Sequence, residues 1–263
     1  MIRLPALCAA LFLAAPALAQ TCGNDGAGYS QWKADFAPVA AASGVGQAGL
    51  AALAGSSYDQ RTINKDRNQR GVRYELDEFL AIRWNDAYTR QARRLLAENA
   101  AFYAGLQASY GVPPEILLAI HGMESGFGAN MGDHNVVDSI LTVAYDCRRS
   151  DFFIPHAIAA LRLVDYGVIS AATIGAGHGE VGQTQFLPGN ILQYGRDGDG
   201  NGRVDLTGFA DAMATTAQFL AAKGWQAGVG YQEGEPNFAA IEEWNAATVY
   251  QRAIALLARE IAG

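Results

Sequence analysis

Apolar and polar positions recur with helical spacing along most of the chain. Residues 74–110 are dense in Ala, Leu, Arg and Glu, with no proline and no glycine before Gly105, which predicts one or two amphipathic helices. Pro113 and Pro114 open a strongly apolar stretch that runs through Ile-His-Gly-Met to Glu124. Proline suits the first turn of a helix, and Gly126 and Gly128 suit its exit, so a buried helix is expected to end near Glu124. After a glycine-broken loop over 126–132, helices are expected over about 137–145 and 152–166, the second carrying Ile158, Leu161 and Val164. A glycine-rich segment (175–182) and Gln185-Phe186-Leu187-Pro188 lead into an Asp/Gly-rich loop over 197–205. Helices over about 209–223 and 246–261 complete the pattern. Strand signals are few and short, so the expected class is mainly α (α+β), with at most a small β element near the loops.

The first nineteen residues break this pattern. Met-Ile-Arg, an apolar run over 4–13 and Ala17-Leu18-Ala19 have the three-part order of a secretory leader, with cleavage expected after Ala19. A membrane anchor is the competing reading, but the run is too short to span a bilayer. Gln20 and Thr21 separate the cleavage site from Cys22, so no lipid acceptor stands at the expected position. A periplasmic product without a lipid anchor is expected.

Export changes the reading of the cysteines. Cys8 leaves with the leader, and Cys22 and Cys147 remain as an even pair in a compartment where disulfides persist, so they are expected to bond. Two unrelated buried thiols are the alternative. Removing residues 1–19 also removes one base, Arg3, and no acid, which takes the formal charge from −7 to −8 and argues against nucleic acid as a partner. With 50% hydrophobic residues the chain can fill one sizeable core or two small ones, and no other segment is long and apolar enough to span a membrane.

Glu124 is the chemical candidate. It ends a helix with Ile116, Ile120 and Met123 on its apolar side, so its carboxyl group is expected at the wall of a groove, where partial desolvation would raise its pKa. A general acid acting on a glycosidic oxygen needs such a group. Taken alone, a glutamate at a helix end is more often a solvated charge.

The neighbouring motifs add a resemblance. Tyr-Gly-Val-Pro-Pro-Glu-Ile (110–116), Met-Glu-Ser-Gly-Phe-Gly (123–128), Met-Gly-Asp (131–133), Ala-Tyr-Asp-Cys-Arg-Arg-Ser-Asp-Phe-Phe (144–153), Gly-Glu-Val-Gly-Gln-Thr-Gln-Phe-Leu-Pro (179–188) and Ala-Ala-Lys-Gly-Trp (221–225) stand in one order. With Pro236-Asn237-Phe238, Trp244-Asn245 and Tyr250, they resemble the lytic murein transglycosylase B family over about residues 60–260. The resemblance implies a lysozyme-like catalytic core and an enzyme that cuts peptidoglycan glycan strands between N-acetylmuramic acid and N-acetylglucosamine. It places the catalytic acid/base on Glu124, leaves 1,6-anhydromuramoyl ends and needs no cofactor for catalysis. Gln185 and Tyr250 match residues that line the family's sugar groove; a structural amide and a core tyrosine are the plainer readings. Glu180 is the one other carboxylate of the glycine-rich segment, expected to shape a substrate subsite rather than act as nucleophile. Asp133 and Asp138 are read the same way, and the four histidines show no metal-ligand spacing.

Asp197, Asp199, Asn201 and Arg203, with Gly202 at the turn, read as the first half of an EF-hand loop, Arg203 offering its carbonyl. Position 12 is Gly208, where that loop would have glutamate. The resemblance implies a longer loop that Asp211 closes, with a structural Ca2+; a metal-free Asp/Gly turn is the alternative. The chain departs from the family at Ala176 and Gly177, where a serine credited with holding the acetamido group and a bulky aromatic are usual, and at His178, which replaces a small residue. Gly189-Asn190-Ile191 likewise replaces the usual Ser-Ser-Tyr.

The expected organisation is a leader over 1–19, a helical segment over 20–105, the core over 106–225 with the calcium-type loop at 197–211, and a segment over 226–263 completing the groove. The chain is expected to act as a monomer. A hydrolytic muramidase and a non-catalytic peptidoglycan-binding protein on the same scaffold are the competing functions.

Overall fold

The computed structural model describes residues 21–68 and 74–263; the leader expected over 1–19 lies outside the described residues. Thirteen α-helices are present among the described residues. The N-terminal part contains α1 (Tyr29–Ala42), α2 (Gln47–Gly55) and α3 (Gln60–Arg67). The stretch expected as one or two helices forms three: α4 (Leu76–Arg83), α5 (Asp86–Glu98) and α6 (Ala100–Tyr110). The breaks fall at asparagines. Asn85 caps α5 by accepting from the N–H groups of Ala87 and Tyr88, and Asn99 turns its amide onto the Leu95 carbonyl, so each side chain competes with continuation of the helix.

The central helix, α7 (Pro114–Ser125), begins at proline and ends at Gly126, as its pattern predicts. Gly126 has φ of 60°, the left-handed conformation that lets the chain turn sharply after the helix. Ile116, Leu117, Leu118, Ala119 and Ile120 are all fully buried, because α7 is covered by α5, α6, α11 (Phe209–Ala222) and α13 (Thr248–Ala262). A helix surrounded in this way reads as a continuous apolar run rather than a stripe. Beside it, α8 (Val136–Tyr145) pairs with α9 (Ser150–Asp165), and α9 also packs on α2 and on α10 (Pro188–Tyr194).

Two short helices were not apparent in the sequence: α10, in the stretch between Pro188 and the Asp/Gly-rich loop, and α12 (Phe238–Trp244). Each has only seven residues, too few to display a helical period. The β element near the loops is present as β1 (His134–Asn135) and β2 (Ile174–Gly175), antiparallel with His134 opposite Gly175. Aromatic residues of α1, stacked as Trp32 on Phe36 with Tyr145 beside them, join the N-terminal helices to the same core. Cys22 and Cys147 form a disulfide, which fastens the start of the described chain to the end of α8. No helix among the described residues is long and apolar enough to cross a membrane.

Candidate active site

The end of α7 is fixed before it presents any chemistry. Ser125 Oγ donates to the Gln183 carbonyl over 2.5 Å, and His121 Nε2 lies 2.7 Å from Gln183 Oε1. Burial pushes the His121 pKa down to about 4, so the ring is neutral and serves as a packing and hydrogen-bonding group. The glycine-rich segment is thereby tied to α7, and Glu124 emerges half-buried between them.

Glu124 lies where three cavities meet. One of 230 Å³ adds Glu180, Gln185, Phe186, Asn190 and Trp244; one of 660 Å³ adds Lys65, Arg83, Arg149, Ala176, His178 and Tyr250; one of 280 Å³ adds Tyr88 and Asn130. The shape is a groove passing the carboxyl group on several sides. A larger cavity of 820 Å³ lies between the end of α9 and residues 201–207, and it has neither Glu124 nor any other acid/base candidate in its wall apart from Asp205.

Desolvation raises the Glu124 pKa to about 7. Hydrogen bonds from Trp244 and Tyr250 oppose the rise, the Glu180 charge adds to it, and Arg83 opposes it. Trp244 Nε1 donates to Glu124 Oε1 over 3.0 Å. Tyr250 is buried, meets Phe79 edge-on at 5.8 Å and directs its hydroxyl to Glu124. At neutral pH the carboxyl is therefore poised between its two protonation states, the condition for giving up a proton and then regaining one.

Glu180 has the opposite setting. Desolvation would raise its pKa, but His178 outweighs it and the net direction is down. The His178 main-chain N–H donates to Oε2 over 2.8 Å and its ring Nδ1 lies 3.1 Å from Oε1. Both carboxylate oxygens are tethered to the wall, so Glu180 is held as an anion rather than presented as a mobile nucleophile.

Gln185 also lines the groove, from a left-handed backbone with φ of 53°. Its amide nitrogen donates to the carbonyls of Gly182 (2.7 Å) and Met131 (3.3 Å), which accounts for the donor and leaves the amide oxygen as the group for a ligand. Ala176 lies in the wall of the 660 Å³ cavity. At Gly177 a Cβ would come within 2.4 Å of Lys65 Cδ, so the lysine stem occupies the space a larger side chain would need.

The structure thus brings Glu124, Glu180, Gln185 and Tyr250 together. It adds Trp244, Arg83 and His178, none of which stands out as a site residue in the sequence, and Asp66 lies behind His178, 3.3 Å from its Nε2. Trp244-Asn245 was visible as a motif, but a contact across 120 positions has no periodic signature.

The loop residues gather elsewhere. Carboxylate oxygens of Asp197, Asp199 and Asp211 lie within 4.8 Å of one another. Asp211 is 2% exposed and accepts from the N–H groups of Gly198 and Asp205, both over 2.7 Å. Asn201 donates its amide to Asp199 and accepts from the Arg203 N–H with its side-chain oxygen.

Residues 28–235 match the model of the family described as Transglycosylase SLT domain. The chain is 31% identical over 121 residues to the membrane-bound lytic murein transglycosylase B of Escherichia coli (strain K12), a match spanning 45% of this chain and 34% of that relative. Its fold is similar to that of Pseudomonas aeruginosa SltB3 in complex with NAG-anhNAM-pentapeptide: TM-score 0.82, 28% identity, 89% of this chain and 80% of the other. The E. coli lytic transglycosylase Slt35 in complex with calcium has a TM-score of 0.76 at 20% identity, over 92% of this chain and 96% of the other, a likeness of fold alone. The mainly helical, lysozyme-like architecture is common to this chain and these solved structures.

Proposed function

The chain belongs to the Transglycosylase SLT domain family, and from that premise we propose that it is a peptidoglycan lytic transglycosylase with Glu124 as its catalytic acid/base. The carrying observation is a carboxyl group of pKa about 7, held by Trp244 and Tyr250 at the meeting point of three cavities. Glu124 gives its proton to the glycosidic oxygen as the bond from muramoyl C1 breaks, and the substrate's acetamido group supports C1. The Glu124 carboxylate then takes the C6 hydroxyl proton while O6 closes on C1. The products are a free N-acetylglucosamine hydroxyl and a 1,6-anhydromuramoyl end, no water is consumed, and Glu124 regains its proton.

Tethering of both Glu180 oxygens supports a single mobile carboxylate. Gln185, with its amide oxygen toward the groove, fits an N-acetyl or hydroxyl donor. The muramidase reading rests on Glu180 being an anion beside a protonated Glu124, a pairing that two-carboxylate hydrolases use. Mass spectrometry of digested peptidoglycan separates the readings: anhydro ends are lighter by one water than hydrolysed ends, and a binder releases nothing. Equal release of anhydro-muropeptides by wild type and Glu124→Gln would overturn this assignment.

The setting proposed is the periplasm, reached through the leader at residues 1–19. The 197–211 loop fits a structural Ca2+. Three converging carboxylates are hard oxygen donors, and each oxygen that accepts one N–H keeps a second lone pair. Asp197, Asp199 and Asp211, with the Asn201 side-chain oxygen and the Arg203 carbonyl, would hold it. The ion would stiffen the loop and take no part in the reaction at Glu124.

A further inference from the structure

His178 lies between two carboxylates. Its Nδ1 is 3.1 Å from Glu180 Oε1 and its Nε2 is 3.3 Å from Asp66 Oδ1. The ring is therefore set between the two carboxylates, with one nitrogen turned to each. The surroundings hold that ring in place. Phe153 stacks on it at 6.3 Å and 9°, and the Arg149 guanidinium lies over the Phe153 ring, 4.8 Å from its centroid. Arg148 and Arg149 both bind Asp66, whose pKa is lowered despite desolvation, and Lys65 lines the same cavity from α3. A chain of polar contacts therefore runs from Arg148 and Arg149 through Asp66 and His178 to Glu180, and its last member shares two cavities with Glu124.

Resting on the transglycosylase reading, we propose that His178 is a positioning residue for the reaction: bridging Asp66 and Glu180, it fixes Glu180 as an anion in the groove wall, and that charge adds to the burial of Glu124 in holding its proton until a glycosidic oxygen arrives. The burial of Glu180 would otherwise favour its neutral form, which exerts no such effect. Desolvation is the main cause of the raised Glu124 pKa and the Glu180 charge adds to it, while Trp244 from α12, Tyr250 from α13 and Arg83 from α4 favour the anion, and Lys65 and Arg149 are further cations in the same cavity.

The test is the pH dependence of kcat/KM for release of anhydro-muropeptides. Replacing the anion with a neutral group of the same shape, Glu180→Gln, should move the alkaline limb down by on the order of one pH unit. His178→Gln and Asp66→Asn should move it the same way, and His178→Gln should add nothing to Glu180→Gln. An alkaline limb unmoved in Glu180→Gln, with rate lost evenly at every pH, would give Glu180 and His178 a merely structural role and overturn the proposal. A limb that moves in Glu180→Gln but not in His178→Gln, in protein that melts as wild type, would overturn the part given to His178. The same displacement can be read without turnover, by carbon-13 NMR titration of the Glu124 carboxyl in wild type and Glu180→Gln. Wild-type protein that released no anhydro ends would defeat the transglycosylase reading and leave that titration to decide this one.

Discussion

Trp244 Nε1 donates to Glu124 Oε1 over 3.0 Å, so a residue from α12 sets the protonation chemistry of a carboxyl carried by α7. The bond favours the anion of Glu124 and pulls against the rise caused by burial. A hydrogen bond to a charged group contributes about 1.5–3 kcal/mol, or about one to two pKa units. Trp244→Phe should move the alkaline limb of kcat/KM to higher pH. It should also lower kcat about tenfold, because a less stabilised carboxylate makes Glu124 a weaker acid toward the glycosidic oxygen. Rate profiles from pH 5 to 9 measure both.

Glu124→Gln should remove anhydro-muropeptide release while improving stability at alkaline pH. A carboxyl whose pKa rises from 4.5 to about 7 on folding holds its proton more tightly in the folded state, so its favourable contribution is complete below pH 4.5 and is lost as pH rises through 7. The amide has no such dependence. The melting temperature of the variant relative to wild type should therefore climb between pH 4.5 and 8, and an unchanging difference would contradict a raised pKa.

Reduction of Cys22–Cys147, or its replacement by serines, should destabilise the protein strongly. The bond spans 125 positions, for which the chain-entropy model gives about 4–5 kcal/mol. Urea unfolding with and without reductant should show that loss as a lower midpoint.

Calcium should raise the melting temperature, with about 2.7 kcal/mol expected at a hundredfold excess over Kd. Asp199→Asn should abolish this response and leave the calcium-free melting point nearly unchanged, since Asp199 is exposed. Asp211→Ala should also melt lower without calcium. It strands the Gly198 and Asp205 N–H groups, at about 1–3 kcal/mol for each buried one. Calorimetry with calcium and with chelator distinguishes the two variants.

Much of the fold could be read from the chain because its determinants are local. Pro114 and Gly126 bound α7, and unbroken burial of Ile116 to Ile120 marks it as central. The ends of α8, α9, α11 and α13 fall within a few residues of expectation for the same reason. The short helices α10 and α12 escaped because seven residues make barely two turns. The split of 74–110 escaped because Asn85 and Asn99 act through side-chain hydrogen bonds that a count of apolar positions passes over.

The order of residues alone establishes which helix carries Glu124, that an apolar face lies beneath it, and that the chain resembles one family through ordered motifs. How Glu124 is governed follows from contacts that exist in the folded chain alone. Besides burial, its pKa depends on Arg83, Glu180 and the nearby pair Trp244 and Tyr250, which come from three separate parts of the chain. Desolvation and Coulomb interactions depend on distance in space, and separation along the chain carries no information about them. For the same reason His178, an unassigned histidine in the sequence, acquired its place only when folding put Asp66 on one side of its ring and Glu180 on the other.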